Sequence, residues 1–397
     1  MIKFDFKTFN NVKDTSDYKN KIHDIRKKFD SKKDMLDWYD VDTCITENEV
    51  KRIKKVGKYI RNNADVLIVV GAGGAYLGSK AVIEMFKEYF GNNKLEIIYT
   101  GNNLSSDYLK SLLEYVMEKE IVLNVISKSG NTIETNLIFD VLLELMEAKY
   151  DENELKKRVI ITTDRKEGRL RKLAKENGFV TFPTKKNIAS RFSIMTTIGL
   201  LPICAAGIDI DKLIKGYESG KKYIDKAYVY AVMRDVLYNK GKKVESFAVY
   251  EPKLSYFTEW LKYLFSETQG KNNKGILPVS TINSRDLHTM GQFYQEGDPI
   301  IFETVINIAS NDDIKINEKP LSKINHLMLL SVAKARKTHT PTNIITISKI
   351  NEKNVGELIY FFMVSAAIGG YLLDVNPFNQ PGVNRYKKLL IDRIGEL

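Results

Sequence analysis

The sequence predicts an α/β protein with two subdomains, each built around a mainly parallel sheet that helices cover on both faces. Two observations support this fold class. Short apolar runs rich in β-branched residues alternate with helical patterns roughly every 25–35 residues, which is typical of parallel sheets. This alternation occurs between residues 65 and 163 and resumes after residue 245. The length of 397 residues suits two or three domains of ordinary size.

The first series contains four predicted strands, at 65–70, 95–100, 121–126 and 158–163. Helical patterns follow the first three strands and extend to about residues 90, 119 and 148. A glycine-rich loop follows the first strand, and a loop rich in hydroxyl side chains follows the third. Ligands bind at the carboxyl ends of the strands in open α/β sheets, so both loops are candidate binding sites.

The second series has predicted strands at 245–250, 276–280, 300–306 and 343–349, helices at 256–268, 322–337 and 356–373, and a final helix from about residue 381. We therefore predict three parts: an N-terminal arm (1–45), a first subdomain (46–205), and a second subdomain with a C-terminal helical segment (206–397). The arm is predicted to contain short amphipathic helices at 18–29 and 32–39. Two uncharged stretches, 192–208 and 358–373, fall short of the roughly 18–20 residues of a membrane span and are predicted as core helices.

Composition excludes several classes of protein. The chain is 43% hydrophobic and 28% charged, which is typical of a globular protein rather than a disordered or fibrous one. Its net charge of +11 comes from scattered lysines without a basic tail or zinc-finger spacing, so we predict no nucleic-acid or membrane partner. A basic surface does favour a phosphorylated substrate. Cys44 and Cys204 are predicted to be reduced thiols, and the first ten residues lack the apolar core of a secretory signal, which together indicate a cytoplasmic protein.

The glycine-rich loop spans residues 71–78, between the first strand and its helix. Such a loop brings backbone N–H groups close to an anion at the positive end of a helix dipole. Two nucleotide-binding patterns fail here, because Tyr76 occupies the last glycine position of GxGxxG, and Ser79 and Lys80 are in the wrong order for a P-loop. Gly73 and Gly74 therefore form either a ligand contact or a tight packing turn.

The hydroxyl-rich loop reads SKSGNTIET over residues 127–135, at the carboxyl end of a strand and just before a helix. Hydroxyl and N–H groups at a helix start suit a phosphate monoester, and a lysine adds positive charge. The alternative is a simple N-cap, but a cap needs only one hydroxyl. The predicted phosphate ligands are Ser127, Lys128, Ser129 and Thr132. The pair of loops resembles that of the sugar isomerase (SIS) domain, which binds phosphosugars.

Two later segments carry side chains suited to acid–base chemistry. In HTMGQFYQEG (288–297), Gln292 and Glu296 are four residues apart and share one face of a helix, so the carboxylate has a neutral donor beside it. The segment NPFNQPGVNRYK (376–387) is rich in turn residues and leads into the last helix. Taken alone, each segment also fits a plain structural role, with Glu296 and Lys387 in solvent.

Five blocks in order resemble the signature stretches of the glucose-6-phosphate isomerase (phosphoglucose isomerase) family: GAGGAYLGSK, SKSGNTIET, RFSIMTTIGLLP, GQFYQEG and NPFNQPGV…YK. The resemblance runs from about residue 66 to 390 and implies two SIS-type α/β/α sandwich subdomains. It implies that Glu296 moves a proton between C1 and C2 of the sugar, that Gln292 lies beside the sugar, and that Arg191 stabilises an enediolate. Gln380 and Lys387 keep the family's spacing of seven residues, with Lys387 near the ring oxygen.

The ring-opening histidine is carried over less directly. The family places it in a stretch between a helix and a strand, where this chain reads KTHTPTN over 337–343, and His339 matches its His-Thr pair. His326 and His288 are the alternatives; His326 falls on a helical pattern beside Leu327 and is predicted to be structural. The chain departs from the family pattern at Ala75, Asn131, Ala189, Ser190 and Asn384, none of which is a presumed acid or base.

The resemblance implies reversible interconversion of glucose 6-phosphate and fructose 6-phosphate, in glycolysis and gluconeogenesis, by ring opening and proton transfer through a cis-enediolate. It also implies a homodimer in which His339 crosses the interface. We predict no cofactor and no metal, because the four histidines are far apart and no H-x-H or H-E-x-x-H motif exists. Two alternatives remain: a dual-specificity glucose/mannose-6-phosphate isomerase, and a non-catalytic SIS phosphosugar-binding regulator.

Overall fold

The computed structural model describes residues 2–6, 18–31, 35–91, 94–309 and 313–394. Contacts divide the chain into two compact units. The first unit is Asp34–Glu218, and the second unit combines Met1–Lys33 with Ser219–Leu397. Each unit contains a five-stranded sheet. The predicted fold class, α/β with mainly parallel sheets, is confirmed.

The described part of the chain begins with β1 (Ile2–Asp5) and α1 (Tyr18–Asp30), which belong to the second unit. The elements of the first unit follow in chain order, listed here with their bounds: α2 (Val41–Cys44), α3 (Glu47–Asn63), β2 (Val66–Val70), α4 (Leu77–Phe86), β3 (Glu96–Thr100), α5 (Ser106–Val116), β4 (Ile121–Ile126), α6 (Ile133–Lys149), α7 (Glu152–Arg158), β5 (Val159–Thr163), α8 (Arg169–Asn177), β6 (Val180–Pro183), α9 (Thr197–Ala205) and α10 (Ile210–Ser219).

The first sheet has the strand order β3-β2-β4-β5-β6, and all its pairs are parallel. β2 and β4 lie side by side, with Val70 opposite Val125, although β3 separates them in sequence. The strand order therefore reverses between β2 and β4. Such a reversal opens a crevice at the carboxyl ends of the two strands, where ligands bind in open α/β sheets. The glycine-rich loop follows β2 and the hydroxyl-rich loop follows β4, so both lie at this crevice.

The second unit continues with the following elements: α11 (Ile224–Asn239), β7 (Val244–Val249), α12 (Ser255–Gln269), β8 (Leu277–Ile282), α13 (Gly291–Glu296), β9 (Ile301–Ile308), β10 (Lys315–Ile316), β11 (Lys319–Pro320), α14 (Leu321–Ala335), β12 (Thr342–Ile347), α15 (Glu352–Leu372) and α16 (Asn384–Ile394). Its sheet has the order β1-β12-β9-β7-β8. β7, β8, β9 and β12 pair in parallel, whereas β1 is an antiparallel edge strand on β12. β10 and β11 form a separate short hairpin.

The N-terminal region differs from the predicted arm in two ways. Its first residues form β1, which pairs with β12 from Ile2 opposite Ile347 to Asp5 opposite Ile344. The helix predicted at 32–39 is wrong for residues 35–39, which form turns; residues 32–34 lie outside the described residues. Trp38 in this turn stacks on Phe192 at 4.6 Å between ring centroids and accepts a hydrogen bond at its carbonyl from Tyr217. These contacts tie the turn and α10 to the first unit, whereas the predicted boundaries were 45/46 and 205/206.

The two uncharged stretches form buried helices, as predicted. Every residue of α9 is buried. α15 is the one described helix long and apolar enough to cross a membrane, but 94% of its apolar window is buried, and it packs against α11 and α12. This burial is expected for a core helix. Cys44 and Cys204 are both buried free thiols, in line with the prediction of reduced cysteines.

Candidate active site

The glycine-rich loop after β2 packs directly against the turn that carries Arg191. Residues Gly73–Ala75 form one short 3₁₀ turn, and Ser190–Phe192 form another. A Cβ atom built on Gly74 would lie only 2.4 Å from the carbonyl oxygen of Ser190. Only glycine permits this approach of two backbone segments. Gly74 therefore fits the packing-turn interpretation and fixes where the Arg191 turn sits.

Arg191 is almost fully buried, with 1% of its surface exposed, and its guanidinium lies 5.6 Å from the Phe192 ring centroid. A guanidinium stays charged in any protein environment and presents several donors in one plane. Its position beside the loop at the carboxyl edge of β2 suits a residue that binds developing negative charge.

The hydroxyl-rich loop folds into a tight turn between β4 and α6. The N–H of Gly130 donates to the carbonyl of Ser127 at 3.1 Å, and Gly130 has φ +72°, a conformation that favours glycine. Thr132 occupies the N-cap position of α6, but its side chain does not cap the helix. Its hydroxyl instead lies 2.9 Å from the hydroxyl of Ser127. The structure therefore does not support the N-cap interpretation for Thr132. Instead, the hydroxyls of Ser127 and Thr132 are paired at the start of α6.

Lys128 spans from this loop to the segment after β6. Its ammonium donates to the carbonyls of Lys186 and Ile188, each at 2.9 Å. Burial lowers the pKa of Lys128 from its ordinary value, and the charge of Asp164 opposes that shift. Two of the three ammonium donors thus hold the segment that precedes the Arg191 turn. The sequence did not predict this bridging contact, and the role of Lys128 in phosphate binding stays a prediction.

Gln292 and Glu296 lie on α13, as predicted from their spacing. The amide of Gln292 donates to a carboxylate oxygen of Glu296 at 2.7 Å. α13 ends at Glu296, and the N–H of Gly297 closes the helix on the carbonyl of Phe293 at 2.8 Å. Both side chains are exposed, so the carboxylate is open to a substrate.

His339 lies next to the end of α13. Its ring Nε2 contacts the carbonyl oxygen of Gly297, the residue that follows Glu296. The N–H of His339 donates to the carbonyl of Arg336 at 3.0 Å, in the turn after α14. A carboxylate and an imidazole that are 43 positions apart, at 296 and 339, thus occur on neighbouring segments of one unit.

The other predicted residues of this unit are placed differently. Gln380 donates to a carboxylate oxygen of Glu267 at the end of α12. Lys387 lies on α16, which buries none of its residues. His288 and His326 are both exposed. α14 turns the side chain of His326 to the surface, and the structural role of this histidine stays a prediction.

Two functional candidates were missed in the sequence. Glu303 on β9 and Arg336 after α14 form a buried ion pair at 3.4 Å, and the carbonyl of Arg336 accepts the N–H of His339. The signal for Glu303 was its place inside the apolar strand IFETVINI, because a buried carboxylate needs a partner. In the described ranges, no group of three or more His, Cys, Asp or Glu side chains is arranged to hold a metal ion.

Solved structures share this fold. A hypothetical protein from Thermus thermophilus matches with a TM-score of 0.90, 24% identity, and coverage of 99% of this chain and 100% of that chain. A glucose-6-phosphate isomerase from Chlamydia trachomatis matches with a TM-score of 0.77 and 18% identity, over 88% of this chain and 73% of that chain. At these identities the likeness shows the α/β fold alone.

Sequence similarity identifies the family. The family model described as phosphoglucose isomerase matches residues 41–283. A glucose-6-phosphate isomerase from Caldanaerobacter subterraneus subsp. tengcongensis is 42% identical over 389 residues, covering 91% of this chain and 86% of that protein. This chain belongs to the phosphoglucose isomerase family.

Proposed function

We propose that this protein is an enzyme that interconverts glucose 6-phosphate and fructose 6-phosphate by proton transfer through an enediolate, in glycolysis and gluconeogenesis. The observation that carries the proposal is the contact of the His339 ring with the carbonyl of Gly297, the residue after Glu296, in a chain of the phosphoglucose isomerase family. The similarity to a glucose-6-phosphate isomerase over nine-tenths of the chain supports the substrate pair. The chemistry needs a carboxylate base, a group to open the ring and a cation for the enediolate.

The phosphate loop anchors the substrate in this proposal. Ser127, Ser129 and Thr132 supply hydroxyl groups at the start of α6, where the helix dipole favours an anion. Lys128 adds charge while it holds the segment before Arg191. Gly73, in the neighbouring glycine-rich loop after β2, supplies backbone contacts to the substrate in this proposal. Binding energy from the remote phosphate orients the reacting carbons, so this loop lowers the barrier without touching them.

Glu296 is the proton-transfer base. The carboxylate takes the proton from C2 and returns it to C1, and the same group serves both directions because the two carbons are neighbours. The Gln292 amide holds one carboxylate oxygen at 2.7 Å, which leaves the other oxygen for the substrate. Arg191 stabilises the negative charge on O1 and O2 of the enediolate, and as a permanent cation it does not deliver a proton itself.

Ring opening requires a second acid–base pair near O1 and O5. His339 and Lys387 take these roles, with Gln380 positioned in the same C-terminal segment. An imidazole accepts a proton in its neutral form and donates one in its protonated form, which suits a group that must do both. The hydrogen bond from the ring of His339 to Gly297 fixes the direction of the imidazole beside the Glu296 helix.

The experiment that tests this function is the substitution Glu296→Gln. We expect loss of isomerisation with phosphosugar binding retained, because glutamine keeps the shape of the side chain but cannot take a proton. Asp298→Asn is the matched control, since this exposed carboxylate lies two residues further on. Full activity of the Glu296→Gln protein would refute the assignment.

We further propose that the enzyme is a homodimer. α14 exposes apolar side chains at every third position: Leu321, Ile324, Leu327 and Leu330, with exposed fractions of 36–53%. An uncovered apolar stripe of this kind marks an association surface, and a second copy of the same chain is the occupant that the family resemblance implies. Leu327→Asp is expected to produce a monomer in sedimentation analysis. A dimer unchanged by this variant would remove α14 from the interface.

The resemblance assigns the histidine of each site to the partner subunit. The sequence leaves three histidines for that role, His339, His326 and His288, and the last two are exposed. His339 contacts Gly297 of its own chain, whereas His326 is exposed on α14, the proposed interface helix. Mixing Glu296→Gln subunits with His339→Ala subunits restores one complete site only if His339 acts across the interface. If His326→Ala subunits are inactive alone, activity in their mixture with Glu296→Gln subunits, and silence in the first mixture, would assign the crossing histidine to His326.

We also propose a cytoplasmic location. Both cysteines are buried free thiols, which is the usual state in a reducing compartment. Cell fractionation with an antibody to the protein tests this, and recovery outside the cytoplasmic fraction would contradict it.

A further inference from the structure

Two adjoining clefts in the first unit are lined mainly by cations. The first cleft, of about 450 Å³, opens at the carboxyl ends of β5 and β6 beside α3. The second, of about 640 Å³, lies along α8 and the loop before it. Arg165 and Arg171 line both clefts. The other cations in the lining are Arg52, Lys166, Arg169, Lys172, Lys175 and Lys185. Eight cations thus line these clefts, against three carboxylates.

The three carboxylates are already engaged. Glu49 pairs with Lys185 at 3.1 Å, and Asp164 accepts the N–H of Lys166 at 2.8 Å. Glu167 lies 3.9 Å from the ammonium of Lys186. By contrast, five of the cations form no ion pair with any residue that the structure describes: Arg52, Arg165, Lys166, Arg171 and Lys175. A cleft lined by an excess of one charge concentrates ligands of the opposite charge.

The start of α8 carries the charge that a helix start disfavours. Its first turn contains Arg169 and Arg171 and no acidic residue, and its N-cap is Gly168, which offers no side-chain cap. The N-terminal end of a helix dipole is positive, so cations there destabilise the unliganded protein. A bound anion would relieve this repulsion. A conflict of this kind between sequence and local structure is typical of a functional site.

The type and placement of the cations suit phosphoryl groups. Four of the eight are arginines, in a chain whose basic residues are mostly lysines. A planar guanidinium binds phosphate oxygens through two parallel hydrogen bonds. Neutral partners orient two of these groups: Arg171 donates to the hydroxyl of Thr181 at 3.2 Å, and the Arg52 guanidinium lies 4.6 Å from the ring centroid of Phe182. Their positive charge therefore stays available.

The shape of the site favours a small ligand over a nucleic acid. Both clefts have the volume of ordinary small-molecule sites. The one aromatic side chain in their lining, Phe182, is 1% exposed, so it offers no open ring on which a base could stack.

We propose that the two clefts together bind an oligophosphate, meaning three or more linked phosphoryl groups, either as an inorganic chain or as the chain of a nucleoside triphosphate. The site shares no lining residue with the hydroxyl-rich loop at 127–132 or with the segments that carry Glu296 and Lys387. Binding here goes beyond the proposed isomerisation and can be measured without it.

The second cleft adjoins the hydroxyl-rich loop, which gives the ligand a route to the phosphosugar. A Cβ atom built on Gly168 would lie 2.5 Å from the carbonyl oxygen of Ser129, so the two backbone segments are in close contact. The N–H of Arg169 donates to the side-chain oxygen of Asn131 at 3.2 Å. This consequence rests on the proposed isomerase function: occupation of the clefts should change KM for fructose 6-phosphate more than kcat.

Titration calorimetry of the purified protein with tripolyphosphate measures the binding directly, at about 50 mM salt to limit screening. We expect one tripolyphosphate per chain, bound about tenfold or more tighter than inorganic phosphate, because it reaches both clefts. Equal affinity for ATP would show that the phosphate chain is recognised by itself, and tighter binding of ATP would show that the ligand is a nucleoside triphosphate. Binding of a single-stranded RNA without binding of tripolyphosphate would overturn the proposal.

Arg165→Gln combined with Arg171→Gln removes the two cations that the clefts share, and it should weaken tripolyphosphate binding by about tenfold or more. Lys94→Gln combined with Lys110→Gln is the matched control, because these exposed lysines flank β3 at the opposite edge of the same sheet. Arg165→Gln alone should still weaken binding several-fold, and it leaves no group unpaired, because Arg165 has no hydrogen bond or ion pair within the described part of the chain. Full affinity in both arginine variants, or an equal loss in the lysine control, would overturn the proposal.

Kinetics separate the clefts from the phosphosugar site. An effect exerted from the clefts levels off once they are filled, whereas a competitor at the phosphosugar site raises KM in proportion to its concentration. A proportional rise that the double arginine variant leaves unchanged would place the anion at the phosphosugar site and refute the proposal. A wild-type protein that binds tripolyphosphate but does not isomerise would refute the proposed function and not this site.

Discussion

The substitution Gly74→Ala has an effect that the structure defines closely. A Cβ atom at this position would lie 2.4 Å from the carbonyl oxygen of Ser190 and 2.8 Å from its Cβ, whereas ordinary contacts begin at 3.4 Å. The turn that carries Arg191 must therefore move by about 1 Å, because the two nearest atoms belong to the backbone carbonyl of Ser190, which cannot rotate away. Overpacking of this kind costs about 1–3 kcal/mol of folding free energy.

The displacement acts on the reaction through Arg191. A misplacement of about 1 Å near the reacting atoms reduces rates by about 100-fold. Because Arg191 is proposed to meet charge that forms only in the enediolate, kcat should fall much more than KM rises. The assay is steady-state isomerisation of fructose 6-phosphate, with formation of glucose 6-phosphate followed by a coupled dehydrogenase and with thermal unfolding measured on the same samples.

Gly207→Ala is the matched control. Gly207 follows α9 in the same unit, has φ +87°, and would place a Cβ in open space with no atom within 4 Å. Alanine strains the backbone there by about 1–2 kcal/mol but displaces no neighbour. A folded Gly74→Ala protein with wild-type kcat would refute the reasoning, and so would an equal loss of kcat in Gly207→Ala.

Three other predictions follow from the site. Lys128→Ala should raise KM for the phosphosugar more than it lowers kcat. It should also lower the free energy of unfolding by about 1–3 kcal/mol, because the carbonyls of Lys186 and Ile188 lose their donor. An unchanged KM would argue against phosphate binding by this loop. Burial raises the pKa of Glu303 from 4.5 to about 7, so the folded protein binds this proton more tightly than the unfolded chain does. The free energy of unfolding therefore falls by about 3 kcal/mol from this group as pH rises from 4.5 to 7. Denaturant unfolding should show this pH dependence in the wild type and lack it in Glu303→Gln, and an equal pH dependence in both proteins would contradict the assignment. Thr132→Val removes the hydroxyl that is paired with Ser127 and should raise KM several-fold. The α6 helix should be retained, because the Thr132 side chain does not cap it. A loss of stability typical of a broken helix cap would count against this interpretation.

The strands of the first sheet could be predicted closely because they are buried on both faces. β2 and β4 are continuous apolar runs, which is the pattern of a central parallel strand. β6 is four residues long, includes Pro183 and is only partly buried, so it lacks that pattern. β1 is a strand because it pairs with the open edge of β12. The sequence of its four residues, which are only partly apolar, does not predict that pairing. Edge strands depend on long-range pairing that periodicity does not record.

Some features of the candidate site could likewise be predicted from the sequence, and others could not. The Gln292–Glu296 contact follows from helical spacing, and the structure confirms that the two side chains meet. The bridge from Lys128 to residues 186 and 188 connects loops 58–60 positions apart, and spacing along the chain cannot predict it. The exposure of His326 was missed because a histidine beside leucine on a helical pattern is equally typical of a buried face. The Arg336–Glu303 pair depends on the register of β9 and on where α14 ends, and both are set by packing.

The central claim is tested most directly by one coupled assay on the purified protein. Formation of glucose 6-phosphate from fructose 6-phosphate is measured with EDTA present, and mannose 6-phosphate is supplied as substrate in a parallel reaction. We expect turnover of fructose 6-phosphate that EDTA leaves unchanged, and little turnover of the mannose ester. Comparable turnover of both esters would indicate the dual-specificity isomerase. Absence of turnover in both, with phosphosugar binding intact, would contradict the account and favour a binding protein.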